Sequence, residues 1–113
     1  MTRSSAVFLA GFTLALCAAS AAAPATLAEQ GRIVADRRCA SCHAVAKDAI
    51  SSPNPKAQTF AAIAATPGMT STALSAALQT SHKVMPNFIL TPQDRRAVVA
   101  YVLSLKPPGR MKI

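Results

Sequence analysis

The 113-residue chain is 51% apolar, only 4% aromatic and free of Trp, and twelve basic residues against four acidic ones give a net charge of +8. That length holds one domain and excludes a large enzyme with a separate cofactor domain. Much of the apolar content is alanine or lies in residues 1–23, so a core of large side chains looks undersupplied in so small a chain unless something else fills it.

The first element reads as an export signal. Arg3 gives a positive start, Ala6 to Ala19 is a largely apolar run without charge, and small residues follow through Ala23. The run is shorter than the roughly 20 apolar residues a membrane-spanning helix needs. Residues 1–23 are therefore expected to be a signal peptide cleaved somewhere between Ala21 and Ala25, leaving 24–113 as the functional domain. An uncleaved anchor is the alternative; a lipoprotein site at Cys17 is disfavoured by the bulk of Leu16 just before it. Cleavage removes Cys17 and Arg3, which leaves two of the three cysteines, Cys39 and Cys42, and lowers the net charge from +8 to +7.

Leu27 to about Arg38 reads as a helix, with Glu29 near its start and Arg37 and Arg38 near its end, as the helix dipole favours. Ala44 to Lys56 is loop, punctuated by Ser51-Ser52-Pro53-Asn54-Pro55. Ala57 to Ala65 is a short Ala-rich helix stopped by Thr66-Pro67-Gly68. Thr70 or Ser71 caps a third helix that carries Leu74 and Leu78 and ends near Ser81. Lys83 to Leu90 is loop. The last helix is the clearest: Thr91 caps it, Pro92 takes the first helical position, and Asp94 falls three residues after the cap. Val98, Tyr101, Val102 and Leu105 then form an apolar stripe, and Pro107-Pro108-Gly109 ends it. No segment alternates with period two, so an all-α fold is expected.

The chemistry lies in Cys39-Ala40-Ser41-Cys42-His43. C-x-x-C-H is the attachment signature of c-type haem. Two thiols at this spacing reach the two vinyl groups on one porphyrin edge, and His43 follows at once to bind iron. Its second ring nitrogen needs an acceptor to fix the ring. A thioredoxin-like redox pair would want a preceding strand, and a zinc site a second cysteine pair; neither pattern is present, and a plain disulfide is the remaining alternative. An electron carrier also needs a sixth iron ligand, Met or His. The candidates are Met69, Met85, Met111 and His82. Met85, stiffened by Pro86 in the loop before the last helix, is the best placed to cover the ring face opposite His43.

Cys39-Ala-Ser-Cys-His43, Met85-Pro-Asn-Phe88, Leu90-Thr-Pro and Ala100-Tyr-Val-Leu-Ser-Leu-Lys106, in that order, closely resemble the small bacterial class I cytochromes c, and Ser52-Pro-Asn-Pro55 is similar to the post-haem loop of proteobacterial members. The resemblance covers almost the whole chain after the signal. It implies helices packed around one covalently bound haem c, with the first and last helices crossing. Gly31 and Ala35 then meet Val98 and Tyr101. Family members often place a Pro two residues before the aromatic that follows the loop, and its carbonyl takes the proximal histidine's proton. Gln58 stands there in this chain, so Pro53 or Pro55 remains an alternative source.

The expected function is a periplasmic one-electron carrier cycling Fe(III)/Fe(II), with no bond chemistry and hence not an enzyme. Cys39 and Cys42 hold the haem; His43 and Met85 bind its iron. Phe60, Ile63, Leu74, Leu78, Phe88, Ile89, Leu90 and Leu103 are the expected pocket lining. Lys47, Lys56 and Lys83 would rim the haem edge and steer acidic redox partners such as an oxidase, reductase or dehydrogenase. Nucleic acid is not an expected partner, nor is a membrane span once the signal is removed, and a monomer is expected. Two alternatives stay open: a dedicated cytochrome subunit of a periplasmic dehydrogenase, and a five-coordinate haem sensor or peroxidase should Met85 not bind.

Overall fold

Every helix of the fold starts on a threonine. The computed structural model describes residue 11 and residues 14–80, 84–86 and 89–109. Among these residues there are four helices and no strand: α1 (Leu27–Arg38), α2 (Phe60–Ala65), α3 (Ser71–Leu78) and α4 (Pro92–Ser104). Thr26, Thr59, Thr70 and Thr91 are the caps. Each lies in extended backbone, and its side-chain oxygen accepts from the amide three residues on. An oxygen there satisfies an amide the helix itself leaves unpaired. At α1 the pairing is reciprocal: Glu29 returns a carboxylate oxygen to the Thr26 amide at 2.6 Å.

The first helix matches its expected bounds, and the other boundaries differ for local reasons. Helix α2 begins at Phe60 rather than Ala57, because Thr59 caps it and the Ala57 amide bonds to Asn54 O at 3.0 Å in the preceding turn. Helix α3 stops at Leu78 instead of continuing toward Ser81. Gln79 Nε2 and Thr80 Oγ1 donate back to the carbonyls of Ser75 and Ala76, so side chains take acceptors at the end of the helix. Helix α4 stops at Ser104, with Leu105 as its C-cap.

The most extensive helix pairing is α1 against α4. Gly31 makes the close approach possible. A Cβ added there would lie 1.8 Å from the Ala97 carbonyl oxygen and 2.8 Å from Tyr101 Cβ. Val98 and Tyr101 were the expected partners on α4; Tyr101 is among the nearest groups, and the nearest backbone is that of Ala97. One turn on, Ala35 is fully buried. The stripe Val98, Tyr101, Val102 and Leu105 is buried as its periodicity predicts. Tyr101 also reaches out of the helix pair. Its hydroxyl donates to Val45 O at 2.6 Å, which ties α4 to the loop after the haem motif, and the Arg32 guanidinium lies 5.7 Å from its ring centroid.

The largest fully buried side chains are Val98 and Val102. Phe60, Leu74, Tyr101 and Leu105 are buried around them, and an apolar space remains between α2, α3, α4 and the Cys-x-x-Cys-His turn.

Candidate functional site

Helix α1 delivers the motif. The Ala35 carbonyl in its last turn accepts from both the Cys39 and Ala40 amides, and the chain then turns tightly, with the Cys42 and His43 amides both bonded to Cys39 O at 3.2 and 2.9 Å. This turn brings Cys39, Cys42 and His43 onto one wall of a cavity of about 500 Å³. Neither cysteine forms a disulfide. Burial pushes the Cys39 thiol up, with neighbouring Arg38 pulling the other way, so the thiol stays protonated at neutral pH.

The loop from Ser52 to Phe60 wraps this turn. His43 Nδ1 pairs with Gln58 O at 2.6 Å. The acceptor left open in the sequence is therefore the backbone carbonyl of Gln58, not that of Pro53 or Pro55. A carbonyl is what the imidazole needs, and any residue can supply one, so a Pro at this position is dispensable for that bond. Around it, Asn54 N donates to Cys42 O at 3.1 Å, Phe60 N to Ala44 O at 2.9 Å, and Ala44 N to Ser52 Oγ at 3.0 Å. Phe60 packs beside the imidazole with ring centroids 5.5 Å apart, and Tyr101 stacks behind Phe60 at 6.4 Å.

The facing wall is apolar. Phe60, Ile63, Leu74 and Leu78 line the cavity as expected. So do Met69, offered by the sequence only as a candidate ligand, and Ala77, Val84, Val98 and Val102, which sequence reasoning did not assign to it. Met85 lines the same cavity, brought there by the segment before α4. Two methionine side chains thus share the space with His43. Ile89 does not line it; that side chain is 89% exposed. Leu90 is half-buried and also absent from the lining. Leu103 faces a different, more open groove of about 720 Å³ between the start of α1, α3 and α4, which among the described residues has no Cys, His or Met in its lining. His82, Lys83, Phe88 and Met111 lie outside the described residues.

Charge is distributed unevenly. Arg38 and Lys56 line the cavity and are exposed, whereas among the described residues no Asp or Glu lines it. Lys47 is exposed but does not line it.

The donor set fits a covalent haem c. The thiols are unbridged, the Nδ1 hydrogen bond leaves Nε2 for iron, and the cavity lies within the range of roughly 300–1,000 Å³ typical of small-molecule and cofactor sites. Among the described residues no helix is long and apolar enough to cross a membrane.

Comparison with known proteins agrees with this geometry. Residues 28–106 match the family described as Cytochrome c. The chain is similar to the protein named cytochrome c-552 of Bradyrhizobium diazoefficiens, with 36% identity over 102 residues that cover 88% of this chain and 96% of that relative. No solved structure matches the chain. The profile match, the relative and the helical cavity built on a C-x-x-C-H turn lead to one conclusion: the chain belongs to the cytochrome c family and is a haem c electron carrier.

Proposed function

We propose that this protein is exported to the periplasm, loses its signal peptide by cleavage somewhere between Ala21 and Ala25, and shuttles single electrons between redox proteins as a monomer, with His43 and Met85 as the two iron ligands. The observation that carries the reading is the return of the chain at Met85 to the cavity that Cys39, Cys42 and His43 line. Haem c, when bound there, supplies a reversible Fe(III)/Fe(II) couple. The residues do the rest. Cys39 and Cys42 would hold the haem covalently as thioethers. Gln58 O holds the imidazole, so that its other nitrogen meets the iron in one orientation. Met85 would be the second iron ligand, which would raise the potential relative to a second histidine and leave no open site for substrate. Leu74, Ala77, Leu78, Val98 and Val102 exclude water and disfavour the more highly charged ferric state.

Arg38 and Lys56 support an acidic partner. They line the cavity that the cysteines also line, where a partner would approach, and among the described residues no carboxylate lines it to offset them. Opposite charge on the partner would speed encounter and make it sensitive to salt.

Three measurements test the reading. The protein recovered from the periplasm should begin between residues 22 and 26; a full-length product there would contradict cleavage. Replacing both Cys39 and Cys42 by Ser should make the haem extractable by acid acetone, and covalent retention would overturn the attachment. Electron exchange with an acidic partner should slow as salt rises, and more weakly so in the Arg38→Ala/Lys56→Ala double variant. A salt response equal to wild type would refute the docking role.

A further inference from the structure

We propose that Ser52 is a positioning residue for the His43 imidazole. The inference rests on the reading of His43 as the proximal iron ligand. The orientation of an imidazole is set by its own χ angles and by the two peptide planes on either side of its Cα. All three are tied to the same loop. The plane between Cys42 and His43 is held at the Cys42 oxygen by Asn54 N at 3.1 Å, and the ring itself is held at Nδ1 by Gln58 O at 2.6 Å. The plane between His43 and Ala44 is held at its amide by Ser52 Oγ at 3.0 Å. Because a peptide unit is planar, pinning the Ala44 N–H fixes the direction of the His43 carbonyl and hence the backbone from which the ring projects.

Ser52 differs from the other two in kind. Asn54 and Gln58 act through the main chain, which any residue supplies. Ser52 acts through a hydroxyl, so it is the member of the set that a substitution deletes. It is half-buried, and Pro53 follows directly, which restricts the backbone at Ser52 to extended conformations. The hydroxyl is therefore held by a stiff segment at the atom where it is needed. Thr at this position keeps the oxygen and suits extended backbone; Ala removes the oxygen and leaves the loop sequence otherwise intact.

Nuclear magnetic resonance of the holoprotein separates this role from a merely structural one. In the ferrous Ser52→Ala variant, hydrogen exchange of the Ala44 amide and of the His43 Nδ1 proton should both accelerate, by about tenfold for one neutral hydrogen bond. In the ferric variant, the spread of the haem-methyl shifts, which reports the direction of the imidazole plane, should change. Ser52→Thr should restore all three. Acceleration at Ala44 alone, with the His43 proton and the methyl pattern as in wild type, would show that Ser52 holds only the loop and would overturn the proposal. Should Ser52→Ala not fold, the wild-type protein decides: the two protons must share one opening free energy along a denaturant series, and unequal protection would also overturn it. The underlying ligand reading fails separately, if the wild-type His43 ring protons lack the haem-induced shifts of an axial ligand.

Discussion

Gly31→Ala is the sharpest test of the helix crossing. Alanine is the better helix former by up to about 1 kcal/mol, so an isolated α1 would gain from the change. In the fold the new Cβ would sit 1.8 Å from Ala97 O and 2.4 Å from Ala97 C, where ordinary contacts lie at 3.4 Å or beyond. The helices must separate by roughly 1.5 Å at this point, because the obstruction is backbone and has no rotamer to change. Overpacking of this kind costs about 1–3 kcal/mol, toward the upper end when backbone is the obstacle. After the propensity gain a net loss of about 1–2 kcal/mol remains, which in a domain of this size lowers Tm by about 5–15 °C. Thermal unfolding of the holoprotein, followed by helical circular dichroism and by the Soret band, reads this directly. Adding Ala97→Gly should give no rescue, since it leaves the offending carbonyl in place. Gly68→Ala is the contrast: Gly68 sits at φ +75° with nothing within 4 Å of an added Cβ, so only about 1 kcal/mol of left-handed strain is expected there. A Gly31→Ala protein that melts at or above wild type would refute the close-crossing argument.

Tyr101→Phe removes the hydroxyl that satisfies the Val45 carbonyl beneath the haem motif, and about 1–3 kcal/mol should be lost as a lower denaturant midpoint with unchanged slope; an unchanged midpoint would argue against that tie. Glu29 is held below its ordinary 4.5, first by the Thr26 amide and then by the Thr26 side chain. A carboxylate with a lowered folded value stabilises fully above 4.5 and loses that contribution as pH falls through the depressed value. The stability gap between wild type and Glu29→Gln should therefore be widest near neutrality and close on acidification below 4.5, whereas a gap independent of pH would contradict the capping box. Removing the haem should abolish cooperative unfolding, because it leaves an apolar cavity of about 500 Å³ between α2, α3, α4 and the Cys-x-x-Cys-His turn unfilled; a sharp two-state transition in the apoprotein would show that the polypeptide supplies its own core.

Most of the fold was legible where a single residue type decides a local outcome. The Thr91 cap, Pro92, the α4 stripe and a cap at Thr70 or Ser71 gave the existence of α3 and α4 and the facing of α4, because caps and periodicity act within one turn of chain. The C-x-x-C-H spacing gave the cofactor for the same reason. What was missed depends on contacts distant in sequence. The start of α2 shifts to Phe60 because the chain around Gln58 is committed to the haem turn. The His43 acceptor is a main-chain oxygen, and side-chain identity carries no signal for it. Met69 ranked behind Met85 as a ligand candidate because its place before α3 does not reveal that it reaches the same cavity. Ile89 and Leu103 were misassigned because an apolar residue near a haem motif has several neighbours to choose from, and periodicity does not say which.

The sharing of one cavity by Met69 and Met85 makes the choice of sulfur ligand the most direct test of the account. The near-infrared spectrum of the ferric holoprotein should carry the charge-transfer band of methionine bound to haem iron. Met85→Ala should abolish the band and Met69→Ala should leave it. A band that survives Met85→Ala and disappears in Met69→Ala, or a wild-type protein without one, would contradict the account.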